Sequence, residues 1–302
     1  MVNLVNNSMP QAIHLVSPNF ADIFEPNVEI GKFPDGDSHV RIPLINECKG
    51  QEVIVFHRLY PKQNTSLVSL LLILDSLRDI GAQKITVVAP YLPYSRQDKK
   101  KLNGEVASAF VVCNLLARAG CDKLVVFDCH FLKKEGPAKF GELQIENISM
   151  GRELAAYAMK ESFGGEACEV ISPDMGANYL VTDHGGKSYS KVRKEYEGGK
   201  IHYRDVGEMS GDFDVSGKNV LILDDMISTG GTMIRALEKL TEAGAKKICC
   251  AATHGLFLYN CIDKIRKLTD CVYSTDTIQN PHSAVSIAEK LVAITEQNLK
   301  LF

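Results

Sequence analysis

One unit recurs three times along the chain and constrains the fold more than any other feature. A stretch of helical period ends in a glycine, passes through a basic residue and becomes a short apolar run. It occupies 70–90 (LLLILDSLRDIGAQKITVVAP), 109–128 (AFVVCNLLARAGCDKLVVFD) and 233–253 (MIRALEKLTEAGAKKICCAAT). The glycine ends each helix, because it enters the left-handed region without a Cβ clash. The apolar runs do not alternate with polar residues, so each strand is expected to be covered on both faces, as in a parallel sheet flanked by helices.

At 302 residues, 45% hydrophobic and 24% charged, the chain has the length for two such domains. Two copies of the unit fall in the first half and one in the second, where CEVISPD (168–174) supplies a further strand. The expected architecture is α/β: two similar domains, 1–147 and 148–302, each a mainly parallel sheet flanked by helices. Between 191 and 217 the pattern changes to alternation with paired glycines, and a β-hairpin flap is expected there. The segment SAVSIAEKLVAITEQ reads as an amphipathic helix with a Ser286 to Glu289 capping-box spacing.

Charge and cysteine usage exclude several classes. A net charge of -3 and a pI near 6.3 lack the basic excess of nucleic-acid binders, so no nucleic acid is expected as partner. The nine cysteines show no CxxC spacing and sit mostly in apolar runs, which reads as buried free thiols in a reducing compartment. The first residues lack the pattern of a secretory leader, and no run approaches the ~20 apolar residues of a membrane span. A cytoplasmic protein with no membrane partner is expected.

The segment VLILDDMISTGGT (220–232) carries the clearest chemistry. A buried strand ends in Asp224 and Asp225, turns through Ser228, Thr229, Gly230 and Gly231, and enters a helix at Thr232. A helix N-terminus offers unpaired N–H groups and partial positive charge, small residues let an anion approach, and the hydroxyls add donors. The two acids suit sugar hydroxyls or a hydrated cation. A plain capped turn with two solvated aspartates is the bland alternative, but paired carboxylates ending an apolar strand are expensive without a ligand. Neither the Walker A pattern nor GxGxxG is present.

Other segments offer chemistry of their own. In PYSRQDKKK, Arg96 presents a planar fork for phosphate, Gln97 an amide for a base edge, and Lys99 to Lys101 a cationic stretch. On composition alone that run reads as a solvated face. GKFPDGDSHV reads as a Pro-Asp-Gly hairpin bearing Phe33, Asp35 and Asp37. His130 and Asp174 end two apolar runs, where α/β folds place ligands, and such a pair suits a hydrated Mg²⁺; a strand-end His is also a common structural group. Lys191 and Arg193 have the spacing that puts both cations on one face of a strand, with Lys187 and Lys194 as nearby alternatives.

VLILDDMISTGGT closely resembles the phosphoribosyl-binding motif of the phosphoribosyltransferase superfamily, in which the acids hold the ribose hydroxyls and the loop holds the 5-phosphate. PYSRQDKK is similar to the PYxRQDRK segment of ribose-phosphate pyrophosphokinases, and GKFPDGD resembles their FxDGE motif. FDCH, SPDMG, SKVR and ATHG follow in that family's order. The resemblance implies two phosphoribosyltransferase-like domains and transfer of the β,γ-diphosphoryl group of ATP to the C1 hydroxyl of ribose 5-phosphate. It implies Mg²⁺ as cofactor, with His130 and Asp174 at the metal. Phe33, Asp35, Asp37, Arg96, Gln97, Asp98 and His130 would serve ATP, Lys191 and Arg193 catalysis at the flap. A homo-oligomer is implied as well, because the family's Phe and acids help bind adenine held by a neighbouring subunit.

The chain also departs from the family. Asp37 stands where a Glu is usual, GEVAS lacks the Pro after Glu105, and ISTGGT replaces IDTAGT. FLKKEGPAKFGELQIENIS (131–149) does not look like the HxxQIQGFF segment of many members. Two rival readings follow from the same loop. A phosphoribosyltransferase consuming phosphoribosyl pyrophosphate would need neither RQD nor KxR, and a non-catalytic associated subunit would carry a damaged flap or loop.

Overall fold

The computed structural model of the chain describes residues 12–182, 185–191, 209–210 and 214–297. The chain divides into two compact units, the first comprising 1–126, 136–148 and 288–302, the second 127–135 and 149–287.

The first unit is built on a six-stranded sheet of β1 (Ile13–Val16), β4 (Glu52–Phe56), β5 (Lys84–Val88), β6 (Lys123–Phe127), β8 (Leu143–Ile148) and β7 (Gly136–Phe140), in that spatial order. The first four run parallel, and β7 and β8 form an antiparallel hairpin. Two remaining strands, β2 (Glu29–Lys32) and β3 (Ser38–Arg41), pair antiparallel as a separate ribbon. Helix α1 (Gln63–Asp79) buries Leu70, Ile73, Leu74 and Leu77, and α2 (Ser108–Arg118) buries Val112, Cys113 and Leu116. That i, i+3, i+4, i+7 stripe is the face an amphipathic helix lays on a sheet.

Both first-half copies of the repeated unit therefore fold as their pattern predicts, and the glycine joining α2 to β6 is required twice over. Gly120 has φ +112°, and a Cβ there would lie 2.3 Å from Arg78 Cγ. The Arg78 side chain fills that space, and its guanidinium donates to the Gly120 carbonyl at 2.7 Å and to Asp122 at 2.5 Å. It thereby ties the end of one helix-to-strand turn to the next.

The second unit holds a six-stranded, all-parallel sheet in the order β10 (Lys187–Ser188), β9 (Glu169–Ser172), β13 (Asn219–Ile227), β14 (Lys247–Gly255), β15 (Val272–Thr275), β16 (Ser283–Val285). All nine residues of β13 are buried. Helices α3 (Gly151–Phe163), α4 (Asn178–Thr182), α5 (Gly231–Glu242) and α6 (Cys261–Ile265) belong to this unit. The third copy of the repeat is α5 followed by β14.

Chain order makes one place in this sheet special. After β9 the chain moves outward to β10, then returns to the other side of β9 as β13. The order reverses between β9 and β13, and the crevice outside the carboxyl ends of such strands is where open α/β sheets bind ligands. The two-residue strands β11 (Ser190–Lys191) and β12 (Met209–Ser210) pair antiparallel, as the base of the expected hairpin would. Residues 192–208, with Arg193 and Lys194, lie outside the described residues. Helix α7 (Ala288–Gln297) groups with the first unit, and just before it the Ser286 hydroxyl donates to Asp276 at 2.7 Å.

All nine cysteines are free. Seven are buried, and burial pushes the thiols of Cys113, Cys121 and Cys249 up to about 12, as expected of inert core thiols. Among the described residues no helix is long and apolar enough to cross a membrane.

Candidate functional site

The loop between β13 and α5 lies at the switch point. Asp224 and Asp225 lie near the C-terminal end of β13, which runs on to Ile227, with 8% and 7% of their surface exposed, and the Asp225 N–H donates to Asp224 Oδ1 at 3.0 Å. Ser228 is buried, Thr229 exposed at the rim, and Thr232 half-buried in the first turn of α5. Helix α5 buries Met233, Ala236, Leu237 and Leu240, which fixes its axis and hence where its N-terminus points. A helix of this length presents N–H groups and partial positive charge to whatever occupies the loop.

A strap from 256 to 261 holds the loop from below. Leu256 and Phe257 N–H groups donate to the Ile227 carbonyl at 3.0 and 3.1 Å, and the Leu258 N–H donates to the Ser228 carbonyl at 2.9 Å. The Cys261 thiol donates to the same Ser228 oxygen at 3.4 Å. Gly230 caps α5 with φ +77°, and a Cβ on it would lie 2.8 Å from Cys261 Cβ. Backbone conformation and close approach both require glycine there.

His130 belongs to this site. It follows β6 in the segment 127–135, which groups with the second unit, and its Nδ1–H donates to Asp225 Oδ2 at 2.6 Å. Burial alone would raise the Asp225 carboxyl, but the His130 hydrogen bond and charge outweigh it and hold that carboxyl below its ordinary range. The imidazole is thereby oriented, with Nε2 as the nitrogen outside this contact. Asp174 follows β9, the strand beside β13, and takes the Gly176 N–H at 2.6 Å on Oδ1. Among the described residues no group of three or more His, Cys, Asp or Glu side chains is placed to hold a metal ion by protein ligands alone.

Sequence reasoning passed over the residue that anchors the His130 segment. Asp128 is fully buried with φ +36°, and accepts from the Met150 N–H at 2.9 Å, the Tyr179 hydroxyl at 2.9 Å and the Thr253 hydroxyl at 2.5 Å. Burial pushes its carboxyl up to about 6, although all three donors oppose the shift. An acid ending an apolar run was the signal used for Asp224, and FDCH carries it too. His254, in ATHG, pairs its ring with the Phe127 carbonyl and the Thr277 hydroxyl, each at 2.9 Å; burial lowers it to about 4. The ATHG segment and the turn that carries Thr277 thus meet as internal scaffolding of the second unit.

Phe33, Asp35, Asp37, Arg96, Gln97 and Asp98 lie in the first unit. Phe33 sits at the tip of the β2–β3 ribbon, 50% exposed, its ring edge-on to His39 at 5.0 Å. Asp35 accepts the Asp37 N–H at 3.1 Å across the turn. Arg96, Gln97 and Asp98 lie on the loop after β5, with Arg96 exposed. Gln97 is engaged at both ends of its amide: the Ser108 hydroxyl donates to its oxygen at 2.7 Å, and its nitrogen donates to Glu105 at 3.3 Å. Glu105 also accepts the Lys101 and Leu102 N–H groups at 2.6 and 3.0 Å, which lower its carboxyl and close the cationic run into a loop. A base-edge contact by Gln97 would exchange these partners. Lys191 has only its backbone described, in β11, and Arg193 lies outside the described residues.

Comparison with known proteins gives a consistent result. Residues 10–120 match the N-terminal domain of ribose phosphate pyrophosphokinase and residues 156–290 the phosphoribosyl transferase domain. The chain is similar to the ribose-phosphate pyrophosphokinase of Pyrococcus furiosus, 39% identical over 269 residues that cover 88% of this chain and 91% of that one. It is likewise similar to that of Sulfurisphaera tokodaii, 37% identical over 276 residues covering 89% and 91%. A crystal structure of phosphoribosylpyrophosphate synthetase from Mycobacterium smegmatis shares the fold, with a TM-score of 0.77 over 96% of this chain and 99% of that chain at 24% identity.

Proposed function

The chain belongs to the ribose-phosphate pyrophosphokinase family and is an enzyme of that activity, and we propose that its β13–α5 loop holds the 5-phosphate while Asp224 and Asp225 hold the sugar. In the reaction the C1 hydroxyl oxygen of ribose 5-phosphate attacks the β-phosphorus of ATP. The bond from that phosphorus to the α–β bridging oxygen breaks, AMP leaves, and the product is phosphoribosyl pyrophosphate. Positioning and charge neutralisation carry most of such a transfer, so no side-chain nucleophile is needed.

The observation that carries the reading is the meeting of three features at one switch point: a helix N-terminus behind small residues, a buried acid pair, and a histidine fixed on one of those acids. Ser228, Thr229 and Thr232 with the first N–H groups of α5 would take the phosphate oxygens. Asp224 and Asp225 would accept the ribose hydroxyls and so fix the nucleophile.

The chemistry at His130 fits a bound Mg²⁺. A metal-binding His commonly donates its second ring N–H to a carboxylate, which is the His130 to Asp225 arrangement. His130 and Asp174 would hold the ion, and water and phosphate oxygen, which Mg²⁺ prefers, would supply its other ligands. The ion would neutralise charge on the ATP phosphates. Arg96, Gln97 and Asp98 are proposed to contact ATP, and Phe33, Asp35 and Asp37 the adenine of ATP held by a neighbouring copy. Lys191 and Arg193, in their KxR spacing, are proposed to stabilise the transferring group.

A homo-oligomer forms part of the same proposal. Helices α1 and α2 leave Val68, Leu72, Phe110, Val111 and Leu115 between 42% and 49% exposed, apolar surface suited to a second copy. A cytoplasmic location accords with the free thiols.

Calorimetric titration tests the cradle. Ribose 5-phosphate should bind about 100-fold more tightly than ribose, since the phosphate adds several charge-assisted hydrogen bonds. Equal affinity for the two sugars would remove the loop from the reading.

A further inference from the structure

The geometry points to Lys133 as a positioning residue that locks together the two segments carrying His130 and Asp174, and so sets the affinity for the metal–nucleotide complex. Its ammonium donates to the His130 carbonyl at 2.8 Å and to the Gly176 carbonyl at 2.9 Å. Gly176 is the residue whose N–H the Asp174 carboxylate takes at 2.6 Å, and the Ser172 hydroxyl donates to the Asp174 carbonyl at 2.7 Å. A continuous chain of contacts therefore runs from Asp174 through Gly176, Lys133 and His130 to Asp225.

All five residues belong to the second unit. The two segments come from distant parts of the sequence, with Lys133 and Gly176 separated by 43 positions. Lysine suits the task, because its three rotatable donors reach two carbonyls from one point and its charge strengthens both bonds. Lys133 lies in the stretch 131–149, which does not look like the HxxQIQGFF segment of many family members. Gly176 has its part in the geometry as well: a Cβ on it would lie 2.6 Å from Asp174 Oδ1 and 3.6 Å from Lys133 Nζ.

The sugar-phosphate loop is held separately, by the 256–261 strap on Ile227 and Ser228. Loosening Lys133 should therefore affect the nucleotide side far more than the sugar side. The inference rests on the proposed assignment of His130 and Asp174 to the metal–nucleotide complex.

The test is calorimetric binding to the full chain of Mg²⁺ with α,β-methylene-ATP, in which the cleaved bridge is replaced by carbon, alongside binding of ribose 5-phosphate. Lys133→Met should weaken the nucleotide complex about tenfold, as loss of charged hydrogen bonds predicts, while ribose 5-phosphate affinity changes less than about threefold. Lys133→Arg, which keeps a cation able to donate to two carbonyls, should recover most of the loss. Its melting temperature should stay within about 2 °C of the parent, and so should that of Lys133→Met, because both contacts are exposed. Unchanged nucleotide affinity in Lys133→Met overturns the inference, as does a parallel loss of both ligands with a large fall in melting temperature. A parent chain that binds sugar phosphate but no Mg²⁺–nucleotide would overturn the assignment of His130 and Asp174 instead.

Discussion

The Nδ1 of His130 and the Oδ2 of Asp225 lie 2.6 Å apart although 95 positions separate them in sequence. The contact joins a loop leaving β6 to the acid pair of β13, and it fixes which imidazole nitrogen is held by the carboxylate. Asp225→Asn keeps the shape and removes the charge. Turnover measured as AMP release should fall about 100-fold, the upper end of the usual effect of losing such a partner. Turnover within twofold of the parent would mean that His130 does not need its carboxylate.

Gly230 offers a test of the cradle's backbone. Gly230→Ala must place a side chain at φ +77° and against Cys261. The Michaelis constant for ribose 5-phosphate should rise at least about tenfold, and the fold should lose about 1–3 kcal/mol from strain and overpacking. Steady-state kinetics and urea unfolding measure the two effects, and an unchanged constant would show that the loop tolerates a different path.

The Asp128 hub can be weakened one donor at a time. Tyr179→Phe removes a 2.9 Å hydrogen bond to a buried carboxyl and leaves the ring in place. A loss of about 1–3 kcal/mol is expected in urea unfolding. Stability unchanged by the substitution would remove Tyr179 from the hub.

These predictions divide along a line that the sequence itself explains. The three helix-to-strand units were legible because helical period, capping glycine and buried strand are all local signals, and the strand, turn and helix of 220–232 were legible because their acids, small residues and helical stretch are contiguous. Asp128 was not, since its donors Met150, Tyr179 and Thr253 lie 22, 51 and 125 positions away. The clamp at Lys133 joins segments 43 positions apart, and nothing in FLKKEG indicates which lysine reaches the Gly176 carbonyl. The partners that hold the Gln97 amide, Ser108 and Glu105, carry no signal in the sequence either, although they lie in the same loop and the helix it enters.

His57 gives the first unit an acid sensitivity. Its Nε2–H donates to the Ser66 carbonyl and its Nδ1 accepts from the Ser17 hydroxyl, so the buried ring is neutral, and burial lowers it from 6.5 to about 4. The unfolded chain then binds the proton first as pH falls, so stability present above pH 6.5 is lost toward pH 4. The loss attributable to this group is about 3 kcal/mol. Chemical unfolding across that range should show the gap between the parent and His57→Gln narrowing by a similar amount. A gap independent of pH would contradict the neutral buried ring.

Transfer of a diphosphoryl group to the C1 oxygen of ribose 5-phosphate is read out by ³¹P NMR of the purified protein with ATP, Mg²⁺ and ribose 5-phosphate. The three ATP resonances should give way to an AMP singlet and a coupled pair from a sugar-bound diphosphate, only when the sugar phosphate is present. Formation of ADP without a sugar-bound diphosphate, or ATP left unchanged, would contradict it.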